Sequence, residues 1–130
     1  MRVNLFVVTA LLCLFTLLVP STWASPSTTA PRLLSGHASE ILTLAFSPNG
    51  TVLATGGTDQ TIRLWDPESG QDLKLLRGHM GAVHALAFSP NGKFLASGSA
   101  DTSVRMWDLA SGRELHAVTS NFGAVRAVAF

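Results

Sequence analysis

The chain has one cysteine, Cys13, in 130 residues. A lone thiol cannot close an internal disulfide, so the fold must rest on packing or on a partner, although small exported domains often lean on cross-links. Its four histidines, His37, His79, His84 and His116, show neither His-x-x-x-His nor His-Glu-x-x-His spacing, so no metal site is expected. The glycines fall in no Gly-x-Gly-x-x-Gly or Gly-Lys-Ser/Thr arrangement, so phosphate binding is not expected either. No cofactor is implied. Charge is scarce, with nine Lys and Arg against eight Asp and Glu. With no basic run, neither nucleic acid nor an anionic membrane surface is expected as the main partner.

One long apolar block stands out. Leu5 to Val19 is Leu, Val, Phe and Ala, broken only by Thr9, Cys13 and Thr16. Arg2 precedes it, Pro20 ends it, and Ser21-Thr22-Trp23-Ala24 puts small residues before a cut after Ala24. This is the order of a secretory signal peptide, read over residues 1–24 as a hydrophobic helix. A spanning helix needs about 20 apolar residues, so an uncleaved membrane anchor is the second reading. Export would place the protein outside the cell or in a periplasmic or lumenal space. Cleavage removes Cys13 and Arg2, leaving no thiol and a balanced charge. Residues 25–32, rich in Pro, Ser and Thr, read as a flexible tether.

Residues 45–66 recur, without a gap, as residues 87–108. His37 and His79, Phe46 and Phe88, and Trp65 and Trp107 each stand 42 apart. A fixed period of this length marks a structural unit copied in tandem. A third copy begins, since Phe130 is again 42 beyond Phe88. Within each copy, short apolar runs are divided by turn signals, the form of consecutive antiparallel strands. Ser47-Pro48-Asn49-Gly50 and Ser89-Pro90-Asn91-Gly92 suit tight turns. Strands are expected near 41–46, 52–56, 61–66 and 72–76, then near 83–88, 94–98, 103–108 and 114–118, with lone strands near 33–35 and 124–130. Residues 41–46 and 124–130 are apolar on both faces, which predicts sheets covered on both sides.

Gly36-His37 with Trp65-Asp66, and Gly78-His79 with Trp107-Asp108, closely resemble the WD-repeat family of β-propellers. Gly-His to Trp-Asp at this period is the family signature. The resemblance covers residues 33–130 and implies an all-β fold, a partial β-propeller of four-stranded antiparallel blades packed radially. Two blades are complete and a third is represented by its first strand. The strands ending in Phe46, Phe88 and Phe130 would be innermost. The resemblance also implies a buried hydrogen-bonded set: His37, Thr55, Asp59 and Trp65, then His79, Ser97, Asp101 and Trp107. An indole only donates, a carboxylate only accepts and an imidazole does both, so a chain through them leaves no polar group alone. Placing the turn after Asp59 pairs Thr55 with Trp65 and Ser97 with Trp107. Ser99 is the second choice of hydroxyl, though its counterpart is Gly57. In the third copy Ser120-Asn121 replaces Gly-His.

Ser, His and Asp in one cluster invite a catalytic-triad reading. The set occurs twice beside a fixed Trp, with no Gly-x-Ser-x-Gly elbow, and a structural network fits better. Arg63 and Arg105 repeat and read as blade-to-blade contacts. Leu42, His84 and Arg126 differ at equivalent positions in a constant frame, which makes His84 and Arg126 candidate partner-binding residues; drift on a solvated strand end accounts for the variation equally. Asn49-Gly50-Thr51 is a formal glycosylation sequon, while Asn91-Gly92-Lys93 keeps the turn without one.

The expected function is an exported, non-catalytic scaffold binding protein or peptide partners. The alternatives are an incomplete or degenerate propeller without independent function, and the start of an exported propeller enzyme. Two blades cannot close a ring of about 4–8, so either further blades or a homo-oligomer is expected to complete it.

Overall fold

The computed structural model describes residues 32–119 and 122–130. The signal helix and nearly all of the tether lie outside the described residues, as do Ser120 and Asn121. Eight strands follow one another: β1 Ile41–Phe46, β2 Leu53–Gly57, β3 Ile62–Trp65, β4 Asp72–Leu76, β5 Val83–Phe88, β6 Phe94–Ser99, β7 Ser103–Asp108 and β8 Glu114–Thr119. They form two four-stranded sheets, ordered β1-β2-β3-β4 and β5-β6-β7-β8. All pairings are antiparallel between sequence neighbours. Each sheet is thus a meander whose turns carry the Pro, Asn, Asp and Gly residues that break the apolar runs.

The Ser-Pro-Asn-Gly turns show why the strands stop where they do. Ser47 N–H donates to Val52 O (2.8 Å) and Val52 N–H returns a bond to Ser47 Oγ (2.9 Å). Gly50 and Gly92 close the two turns at φ 72° and 68°, a conformation that costs a side-chain-bearing residue about 1–2 kcal/mol.

The sheets stack on one apolar layer. Ala54, Ile62, Leu64 and Leu76 of the first sheet meet Val83, Leu95 and Trp107 of the second, all buried, with Val52, Leu86, Phe88 and Leu109 around them. The sheets approach closely at Gly56, where a Cβ would stand 2.6 Å from Val83 Cγ1. A side chain there would force the sheets apart. β5 packs against both β1 and β2, so the two sheets come together at their first strands. At the other side Lys74, from β4, donates to Leu109 O at 2.7 Å and also to Ala110 O.

Three expectations are corrected. Residues 33–35 and 124–130 form no strand, because a strand needs a ladder partner and none is offered them among the described residues. Residues 124–130 are nonetheless positioned: Val125 N–H donates to Ser99 O (2.9 Å), and Val125 Cγ1 lies 2.6 Å from where a Gly98 Cβ would be, repeating the Val83–Gly56 approach. Nor are the sheets covered on both faces. Leu44, Phe46 and Val118 are 54%, 52% and 67% exposed, since among the described residues the first sheet is covered only on its β5 side and β8 has no outer neighbour.

Candidate functional site

Each sheet is pinned by one polar relay. Trp65 Nε1–H donates to Thr55 Oγ1 (2.8 Å), which lies 2.8 Å from His37 Nε2, and His37 Nδ1 lies 2.8 Å from Asp59 Oδ2. The second sheet repeats it. Trp107 Nε1–H donates to Ser97 Oγ (2.8 Å), Ser97 Oγ lies 2.7 Å from His79 Nε2, and His79 Nδ1 lies 2.9 Å from Asp101 Oδ2. The donor–acceptor roles fix one consistent arrangement. The hydroxyl accepts from indole and donates to Nε2, and the imidazole turns an Nδ1–H towards the carboxylate.

The register differs from the sequence expectation. Thr55 stands opposite Arg63 and Ser97 opposite Arg105, while Trp65 and Trp107 face Leu53 and Leu95. The indoles reach their hydroxyls diagonally, two residues along, a span long side chains cross readily. The cause is the turn. Gln60 and Thr102 take φ 66° and 71°, so each hairpin has a three-residue loop with a left-handed third residue. No glycine marks that residue, so the register could not be read from turn chemistry.

A fifth member of each relay went unread. Thr61 Oγ1 donates to Asp59 Oδ1 (2.8 Å) and Ser103 Oγ to Asp101 Oδ1 (2.6 Å), with Ser103 Oγ also 3.2 Å from His79 Nδ1. Both stand two residues after the Asp in a period-matched pair, the spacing of a side-chain turn, and that was the available signal. The backbone N–H groups of Ala38 and Met80 add bonds to the same carboxylates at 2.9 and 2.8 Å. Ser99 is outside the relay; it donates to Gly81 O (2.9 Å) and accepts from Asp101 N–H (3.1 Å).

These contacts set the protonation. Burial alone would raise the Asp101 carboxyl, but bonds from the Ser103 hydroxyl, Met80 N–H, His79 and Ser103 N–H outweigh it and hold it well below the usual carboxylate range. Asp59 is lowered in the same balance, with Thr61, Ala38 and His37 opposing its burial. For His79, burial wins over the Asp101 interaction and lowers the imidazole. Protonating it would set an Nε2–H against the Ser97 hydroxyl proton, which would have to turn away.

Arg63 and Arg105 do not bridge the blades. Arg63 Nη1 pairs with Asp72 on the adjacent β4, and Arg105 Nη1 with Glu114 on β8, at 2.5 Å in the latter. Both ion pairs span neighbouring strands of one sheet, and Arg63 also lies 5.9 Å from the Trp65 ring centroid. The acid recurs at the 42-residue period with the arginine, so the pair was legible.

One of the two candidate contact residues, His84, falls at a special place. In β1 the ladder passes from Ile41–Gly57 to Thr43–Gly56, and in β5 from Val83–Ser99 to Ala85–Gly98. Leu42 and His84 are therefore the extra residues of matched β-bulges, which bend a strand and re-aim a side chain. His84 is half-buried and Arg126, at the equivalent place in the third copy, is exposed. The hydrogen bonds of the relays include neither Leu42 nor His84.

Repeated four-stranded meanders, stacked face to face and each held by an indole–hydroxyl–imidazole–carboxylate relay, define blades of a β-propeller repeat protein. The family model described as "WD domain, G-beta repeat" matches residues 28–66 and 70–108, and the chain belongs to the WD40 repeat family. It is similar to Protein Mut11 of Chlamydomonas reinhardtii, 37% identical over 54 residues, 40% of this chain and 15% of that protein. It is also similar to Protein tipD of Dictyostelium discoideum, 48% identical over 42 residues, 32% of this chain and 7% of that one. Among solved structures, the crystal structure of RRP9 WD40 repeats superimposes with a TM-score of 0.73 at 32% identity, over 76% of this chain and 32% of that chain. This chain thus spans only a small part of the curated relatives it matches, 15% and 7% in these two.

Proposed function

We propose that the chain is a non-catalytic interaction module that binds a protein or peptide partner, with His84 and Arg126 among the contacting residues. The observation that carries this is the bulge. Leu42 and His84 vary where the surrounding frame repeats, and a matched backbone irregularity re-aims both. Membership of a family of repeat scaffolds supports the reading.

The Ser–His–Asp set argues for structure over chemistry. Ser97 is 0% exposed and His79 6%, and the hydroxyl is held between indole and imidazole. A nucleophile needs a substrate within reach, and this one is sealed.

Residues 1–24 support export, with membrane anchoring as the second reading. Further blades, or further copies of the chain, complete the ring. Crosslinking in the exported fraction, followed by mass spectrometry, tests the whole reading. A partner whose capture is lost in His84→Ala/Arg126→Ala is expected. Capture unchanged in that variant would move the contact elsewhere, and absence from the exported fraction would remove the export assignment alone. Light scattering of the folded protein reports closure: a soluble folded monomer would contradict self-assembly.

A further inference from the structure

The interface between the two sheets joins two unlike faces, and each of those faces occurs a second time, open. On one face of the first sheet Ala54 pairs with Leu64 and Leu64 with Lys74, while Gly56 pairs with Ile62 and Ile62 with Leu76. The second sheet repeats both rows 42 residues on: Ala96, Met106 and His116, then Gly98, Val104 and Val118. The first set is sealed against the second sheet. The repeated set is not. Leu76 is 2% exposed and Val118 67%, and Val104 and Met106 are half-buried where Ile62 and Leu64 are buried. The reverse faces show the converse. Leu86 and Phe88 pack against the apolar layer, while their equivalents Leu44 and Phe46 are exposed.

The margins of the interface recur as well. At the outer margin Lys74 reaches the carbonyls of Leu109 and Ala110. Its equivalent is the exposed His116, and the equivalent carbonyls belong to Pro67 and Glu68; an imidazole N–H can donate to such an oxygen as the ammonium does. At the inner margin Val83 lies against Gly56 and Val125 against Gly98. Residues 124–130 therefore lie where the first strand of a following sheet would run, and Ile41 of β1 is the residue equivalent to Val125.

We infer that a second copy of the chain docks head to tail on this one. The face of its first sheet that carries Leu44 and Phe46 lies on the face that carries Met106, Val104 and Val118, and its Ile41 takes the place of Val125 at Gly98. The occupant follows from the interface already present, because one chain displays both halves of a contact that it makes once internally, in the same strand register. Open apolar faces of this kind mark association surfaces. The inference rests on the reading that further copies complete the ring, and it adds which faces meet. Unlike faces make a heterologous contact, which repeats from copy to copy and closes where the rotation allows. Rings of about 4–8 blades would then take about two to four two-bladed copies.

Two variants of the full chain test it by sedimentation and light scattering. Phe46→Asp spoils one face and Val118→Asp the other, and both side chains are exposed, so Trp fluorescence should show each fold intact. Concentration-dependent assembly of the unaltered chain is expected, weakened about tenfold or more in either variant alone. An equimolar mixture of the two variants should form a one-to-one pair, since each keeps the face that the other lacks. Removing residues 122–130 vacates the place at Gly98 and should tighten assembly about fivefold or more. Unweakened assembly of either variant, no pairing in the mixture, or loss of assembly without residues 122–130 would overturn these faces while leaving closure by copies standing. An unaltered chain that stays a folded monomer at every concentration would overturn both, and leave the binding of a different partner to the crosslinking test.

Discussion

Trp107 Nε1 lies 2.8 Å from Ser97 Oγ, although the residue facing Trp107 across the strands is Leu95. The bond is diagonal, and both groups are sealed from solvent. Removing either partner orphans the other, at about 1–3 kcal/mol for an unpaired buried polar group. Ser97→Ala should therefore lower stability by that amount in urea denaturation. Ser97→Thr should cost far less, since Thr55 fills the same place in the first sheet and makes the same bond.

Acid should weaken the fold in two stages. The His79 imidazole is lowered in the folded protein, so below its ordinary value near 6.5 the unfolded chain takes up a proton that the folded chain refuses. Stability is then lost as pH falls from about 6.5 towards the lowered folded value. Asp59 and Asp101 are also lowered when folded; their contribution is present above about pH 4 and lost below it. The urea midpoint measured from pH 8 to pH 3 should decline in both windows. His79→Gln should flatten the first and shrink the second only in part, since Ser103 and Met80 still hold Asp101 low and Asp59 is unaffected.

Gly56 sits where two sheets nearly touch. A methyl there meets Val83 Cγ1 at 2.6 Å, and overpacking of this kind costs about 1–3 kcal/mol. Gly56→Ala should destabilise within that range. Adding Val83→Ala should recover part of the loss, because the clash is between those two groups. Destabilisation that the second change deepened additively would show that the contact is not the cause.

Thr102 is a β-branched residue at φ 71°, a conformation that asparagine tolerates and threonine resists. Thr102→Asn should raise stability by about 1 kcal/mol. An unchanged thermal midpoint would mean the turn carries no strain.

The strand pattern was legible because turn residues punctuate it: the Pro-Asn-Gly, Asp-turn and Ser-Gly signals place each of the eight strands within one residue of its observed bounds. Trp65 and Trp107 were legible as relay donors, but their register was not, because Gln60 and Thr102 take the left-handed place without a glycine to announce it. The hydroxyls of Thr61 and Ser103 were hidden by ordinariness; Ser and Thr are common in turns, and only burial reveals them as members of the relay. Arg63 misled because repetition was taken to mean contact between repeats, whereas its partner, Asp72, recurs just as faithfully as Glu114. The exposed faces of β1 and β8 depend on neighbours, and local periodicity carries no information about those.

The approach of Val83 to Gly56 is reproduced by Val125 at Gly98, with Cγ1 at 2.6 Å in both and Cβ at 3.0 and 3.1 Å. One joint therefore serves at both seams. A gene that duplicated residues 57–98 would lengthen the array by one wedge with every seam already suited to its neighbour, and recombination between copies could grow or shorten such a protein without inventing a new contact.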